Sequence, residues 1–132
     1  MHIGKLDHVN LRTNKLDEMI KWYSTILGMT AGDRPNFPFP GAWLYAGDQA
    51  VVHLVGVDAD PGAGSETELK LEHFALSATG RDTFETRLKK HEEAFETVSL
   101  KDVGIVQYNV WDPEGNHIHI DFQIDETLSQ VI

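Results

Sequence analysis

The sequence predicts an α+β fold made of two β-α-β-β-β repeats. Three observations lead there. A seven-residue segment recurs about half a chain apart, each copy is followed by one helical stretch, and each half ends in segments with strand periodicity. The copies are KLDHVNL at residues 5–11 and KLEHFAL at residues 70–76, offset by 65 positions and matching in chemical class at six of seven. Both alternate apolar and polar residues, the period of a half-buried strand.

After the first copy comes a polar break at Thr13 and Asn14, then a helix to about Leu27. Leu16, Ile20, Tyr23 and Leu27 share one of its faces. Asn14 suits the N-cap and Gly28 the position after the C-cap. A short extended segment is expected near 30–34. Trp43, Leu44 and Tyr45 then lead through a turn at 46–48 into a strand over 50–55. In the second half, 78–80 break the chain before a helix over about 81–92, with Phe84 and Leu88 on its apolar face. An extended segment near 95–100 precedes strands over 106–111 and 117–122, joined by DPEGN. Pro fixes φ in that turn, and Gly or Asn accepts positive φ. The repeats run over about 3–57 and 69–124 of one 132-residue domain. The Gly- and Pro-rich stretch 58–68 reads as a flexible linker between them. The segment 33–41 holds three prolines and two phenylalanines. It reads as a loop packed on its own core or as the rim of a pocket.

Composition narrows the function. The net charge of −10 leaves no basic stripe to neutralise phosphates and disfavours an anionic membrane surface. No apolar run approaches the roughly 20 residues of a membrane span, and the N-terminus has no apolar signal-peptide core. A cytoplasmic protein is the expectation. With no cysteine and seven histidines, any metal must be held by nitrogen and oxygen ligands. Two-fold alternation puts His8, His53, His73 and His119 opposite apolar rows, at matching places in the two repeats, on a face that is either solvated or concave. A surface role explains one such histidine easily and four symmetric ones poorly, so a divalent metal site is expected. His117 and Asp121 share the face of His119, where a change of ligand or a supporting role stays open. His2 and His91 fall outside the pattern and read as solvated. Asn10, Gln107 and Asn109 lie on the polar faces of their strands, and Arg34 and Lys101 in loops near the expected rim. Asn10, Arg34, Gln107 and Asn109 are the candidate substrate contacts. Trp43 and Tyr45 read as an aromatic wall or as core.

The paired repeats, the opening Leu6-Asp7-His8-Val9 and the closing DPEGNHIHI at 112–120 resemble the vicinal oxygen chelate superfamily. That superfamily includes glyoxalase I, extradiol dioxygenases, methylmalonyl-CoA epimerase, and the fosfomycin and bleomycin resistance proteins. The resemblance covers about residues 3–124. It implies curved mixed sheets that enclose a metal cavity, with His8, His53, His73 and His119 at the ligand positions. The family usually has Glu where this chain has His119. Without that carboxylate, the resemblance implies a metal-dependent enzyme acting on a small oxygen-bearing molecule, tilted slightly toward dioxygenase or lyase chemistry over isomerisation. Fe, Zn, Ni, Cu and Mn all remain open. The alternative is a small-molecule-binding protein without turnover, as in the antibiotic-resistance relatives. The resemblance also implies a homodimer.

Overall fold

Each copy of the repeat builds its own open four-stranded sheet. The computed structural model describes residues 1–62 and 64–127, and the chain divides into two compact units, Met1–Ala63 and Gly64–Ile132. Ala63, inside the expected linker, lies outside the described residues, as do 128–132.

The first unit contains β1 (Val9–Thr13), α1 (Leu16–Thr25), β2 (Thr30–Gly32), β3 (Gly41–Ala46) and β4 (Gln49–Gly56). Its sheet runs β1-β4-β3-β2, with β1 parallel to β4 and the other pairs antiparallel. The second unit repeats this plan with β5 (His73–Ser77), α2 (Arg81–Lys90), β6 (Glu96–Leu100), β7 (Ile105–Trp111) and β8 (His117–Gln123), in the order β5-β8-β7-β6. Here β5 and β8 are the parallel pair. A short 3₁₀ turn at Lys101–Val103 joins β6 to β7. Each unit is thus the expected β-α-β-β-β. A parallel pair needs a long crossover, whereas the antiparallel pairs need only tight turns. This is why each unit's first strand lies beside its last.

Helix α1 buries Met19, Trp22 and Tyr23 and packs on β3, β2 and β4. It starts later than the sequence suggests. Lys15, not Asn14, holds the cap position, and no side chain caps the helix there. The buried Thr13 intervenes: its Oγ1 accepts the Lys15 N–H at 2.9 Å and turns the chain before the helix begins. The other end comes earlier than the expected Leu27, with Thr25 the last helical residue and Ile26 at the cap, but the glycine still serves the exit. Gly28 takes φ 68°, and the Met29 N–H reaches the Tyr23 carbonyl at 3.1 Å.

Helix α2 buries Phe84 and Leu88. Glu126 holds its start, accepting the Gly80 and Arg81 N–H groups at 2.7 and 2.8 Å, a carboxylate at the positive end of the helix. The core of this unit is aromatic. Phe84, Tyr108 and Phe122 meet pairwise with ring centroids 5.4–5.8 Å apart.

Tyr108 also donates its hydroxyl to Glu85 at 2.7 Å. Burial, then the Glu85 hydrogen bond, pushes its phenol up to about 12. The folded value lies above the unfolded one near 10. The stabilisation from this phenol is therefore complete below pH 10 and is lost as pH rises toward 12. Tyr108→Phe should flatten the alkaline limb of the stability curve over pH 10–12, measured by urea unfolding.

The DPEGN turn is built around one carboxylate. Asp112 Oδ1 accepts the N–H groups of Glu114 and Asn116 at 2.9 and 3.0 Å, and Oδ2 accepts Asn116 Nδ2 at 2.9 Å. Gly115 supplies the positive φ of 80°. Asp112 is buried, so Asp112→Ala strips charge-assisted bonds from a closed site. An expected loss of about 2–3 kcal/mol follows, read from urea midpoints.

Candidate metal centre

In both units the histidine after the conserved-class acidic residue is oriented by that acid. Asp7 and Glu72 accept from His8 Nδ1 and His73 Nδ1, the first at 2.7 Å. A carboxylate only accepts, so both rings carry the proton on Nδ1 and leave Nε2 free. These bonds hold the Asp7 and Glu72 carboxyls below their usual range.

Register sets the partners of these rings. His53 on β4 lies opposite Asn10 on β1 and Trp43 on β3. His119 on β8 lies opposite Ala75 on β5 and Asn109 on β7. The two positions are equivalent, and the resulting ring pairs nearly superpose in geometry. His8 stacks on His53 at 3.8 Å and 9°, and His73 on His119 at 3.8 Å and 11°.

The first unit extends its stack with Trp43, 4.1 Å from His53. His53 Nε2 donates to the Ala50 carbonyl at 3.0 Å, so Nδ1 carries its lone pair. Burial, and then the neighbouring His8, lowers the His53 pKa. Beside this stack lies a pocket of about 160 Å³ whose lining includes Asn10, Arg34, Phe37, Phe39, Trp43 and His53. Its floor explains the segment 33–41. Phe37 and Phe39 stack at 5.1 Å, and the Arg34 guanidinium sits 4.9 and 5.1 Å from their ring centres while Nη2 donates to the Phe39 carbonyl. Gly41 permits this approach, since a Cβ there would meet Arg34 Nη2 at 2.8 Å and the Leu54 carbonyl at 2.3 Å. Trp43 and Tyr45 line a second, wider pocket with His8 and His53, as an aromatic wall would.

The second unit adds a third imidazole. His73, His117 and His119 offer ligand atoms within 4.8 Å of one another, and His117 and His119 are 8% and 9% exposed. His117 is held by Asn109. The Asn109 amide nitrogen donates to the Glu96 carbonyl, which turns Oδ1 toward His117 Nε2 at 2.8 Å. Asn109, a candidate substrate contact by sequence, is therefore committed to orienting His117. His117 Nε2 must donate, which leaves Nδ1 as its donor atom toward a metal.

That Nδ1 and the Nδ1 of His119 are buried without a hydrogen bond, as is Asp121 Oδ1. Burial first, then the charges of His73 and His117, pushes the His119 pKa down, which favours the neutral ring with one nitrogen lone pair available. Burial raises the Asp121 pKa. Neutral imidazoles with orphaned nitrogens are a donor set that fits a divalent transition metal.

Sequence reasoning missed Glu66 and Trp111. Glu66 Oε1 accepts the Trp111 indole N–H at 2.7 Å, and Oε2 lies 2.7 Å from His117 Nδ1. Trp111 stacks on His117 at 5.2 Å and 11°. Of the remaining candidates, Gln107 is half-buried opposite Asp121, and Lys101 is exposed in the 3₁₀ turn. His2 and His91 are exposed.

Comparison with known proteins fits this fold. Residues 5–120 match the family model of the Glyoxalase/Bleomycin resistance protein/Dioxygenase superfamily. The Arabidopsis thaliana protein Glyoxylase I 4 is 26% identical over 125 residues, 91% of this chain and 71% of that protein. Two crystal structures share the fold. One is a putative glyoxalase family protein from Bacillus anthracis, with TM-score 0.75, 20% identity and coverage of 93% of this chain and 98% of that one. The other is a glyoxylase/bleomycin resistance protein/dioxygenase domain from Frankia sp. EAN1pec, with TM-score 0.74, 23% identity and coverage of 92% and 99%. Matched over most of its length, this chain belongs to the glyoxalase, bleomycin resistance protein and dioxygenase superfamily.

Proposed function

We propose that the chain is a metal-dependent enzyme acting on a small oxygen-bearing molecule, with His8, His53, His73 and His119 as ligand residues and His117 as an additional one. The observation that carries this reading is the cluster of His73, His117 and His119, in which His117 and His119 are buried and each has a ring nitrogen without a hydrogen bond. A bound divalent ion would supply Lewis-acid polarisation of a substrate oxygen. The chain's own residues do the rest. Asp7 and Glu72 fix the tautomers of His8 and His73, Asn109 fixes that of His117, and burial keeps His119 neutral.

The pocket beside His53 suggests the substrate's size. At about 160 Å³ it is close to the roughly 150 Å³ of an apolar cavity that holds benzene. Aromatic walls suit one flat ring or a comparable apolar body, and Arg34 and Asn10 suit a carboxylate or carbonyl oxygen. The absence of a carboxylate at position 119 favours dioxygenase or lyase chemistry over carboxylate-assisted isomerisation. Iron, zinc, nickel, copper and manganese are all compatible with nitrogen ligands. The proposal includes a cytoplasmic homodimer, supported by β6, a sheet edge exposed along its length. Among the described residues, no helix is long and apolar enough to cross a membrane.

The test is metal per chain, by mass spectrometry, on protein purified without a His tag. Stoichiometric metal, lost in His73→Ala and His119→Ala, supports the reading. The same measurement on His8→Ala and His53→Ala decides whether the first unit's pair contributes. A wild-type chain that takes up no divalent ion overturns it, and a chain that binds small molecules without metal or turnover would be the binding protein of the alternative reading.

A further inference from the structure

We propose that Glu66, from the segment between the repeats, supplies the anionic ligand of the metal centre on His73, His117 and His119, an inference that rests on the metal-enzyme reading above. Three neutral imidazoles give a divalent cation no compensating charge, and the second unit has His at position 119 where a carboxylate would otherwise serve. A carboxylate stands beside the cluster all the same. Glu66 Oε2 is 2.7 Å from His117 Nδ1, yet that buried nitrogen makes no hydrogen bond.

The tautomer of His117 gives that contact its meaning. Nε2–H is committed to Asn109 Oδ1, whose own direction is set by the Asn109 bond to the Glu96 carbonyl. In a neutral ring Nδ1 therefore presents a lone pair to a carboxylate oxygen 2.7 Å away. Two acceptors at that distance repel unless a cation lies against both. The Nδ1 of His119, on a side chain more than nine-tenths buried, is likewise unpartnered.

Glu66 is also held in place. Its other oxygen takes the Trp111 indole N–H at 2.7 Å, and Trp111 is itself stacked on His117. The backbone behind it forms a turn in which the Ser65 carbonyl accepts the Glu68 and Leu69 N–H groups at 2.9 Å. Glu72 is the competing carboxylate, 3.5 Å from His117 Nδ1, but its near oxygen already accepts from His73. Glu66 is thus positioned as an oxygen ligand to an otherwise all-nitrogen set.

The experiment is titration of the metal-free, full-length chain with Co²⁺, followed by visible absorption, with Zn²⁺ affinity measured by competition. Expected results are one equivalent bound by wild type, affinity lowered more than tenfold in Glu66→Gln with an altered cobalt spectrum, and partial recovery in Glu66→Asp. Circular dichroism of the metal-free variants checks that they fold. If Glu66→Gln binds cobalt with the wild-type affinity and spectrum, Glu66 is only an ion-pair partner of His117, and this proposal fails while the metal-enzyme reading stands. If wild type binds neither ion, both fail.

Discussion

His119→Ala should lower divalent-metal affinity at least a hundredfold, while His91→Ala leaves it unchanged. His119 is the residue at which the arguments for a metal centre meet. It is 9% exposed, it stacks on His73, and its Nδ1 has no hydrogen-bond partner. A buried polar atom in this state costs free energy unless something satisfies it. Removing this imidazole takes away one of three clustered nitrogens and also the ring that packs against His73. His91 has the same chemistry but sits exposed at the end of α2. His119→Glu separates ligation from packing. It restores the residue type usual for the family at this position and should retain metal within about tenfold of wild type, since an oxygen ligand replaces a nitrogen one. Isothermal titration on the metal-free chain reads all three variants. Equal affinity in His119→Ala and wild type would remove His119 from the site.

Much of this was legible in the sequence because the repeat has a strict period. KLDHVNL and KLEHFAL place an acid immediately before a histidine at equivalent points, and both acids orient those histidines. Two-residue alternation puts His117, His119 and Asp121 on one face of β8 and Ile118 and Ile120 on the other; the apolar row is buried, and His117 and His119 are buried as well. What stayed hidden depends on contacts that no period encodes. Glu66 lies in a stretch whose composition reads as linker, and only its turn and the Trp111 indole bring it to His117. Asn109 shares the period of Gln107, yet cross-strand register commits it to His119's strand and to His117. The start of α1 was misplaced for a similar reason. Thr13 is fully buried, and its hydroxyl accepts the Lys15 N–H, a turn of the chain that no propensity rule encodes and that leaves Lys15 at the cap position.

Phe122→Ala should destabilise the chain by about 3–5 kcal/mol, the usual range for emptying a buried phenylalanine site. Phe122 is 1% exposed and touches the rings of both Phe84 and Tyr108, so no neighbour can fill the space without leaving its own contacts. Against a total of about 5–15 kcal/mol, this is a large fraction of the stability. The same strand carries His117 and His119 at alternate positions, and that links the core to the site. A ligand that binds only the folded chain adds about 2.7 kcal/mol at a concentration 100 times its Kd. Saturating zinc should therefore recover a large part of the Phe122→Ala loss in urea unfolding. In a Phe122→Ala, His119→Ala double variant the recovery should vanish, because the folded state no longer holds the ion tightly. If zinc stabilises the double variant as much as the single one, the ion is acting elsewhere on the protein. If zinc stabilises neither, then either the cluster is not a metal centre or the altered core has carried β8 and its histidines with it. Metal affinity measured on the folded Phe122→Leu variant separates those two outcomes, since leucine keeps the site apolar and largely filled.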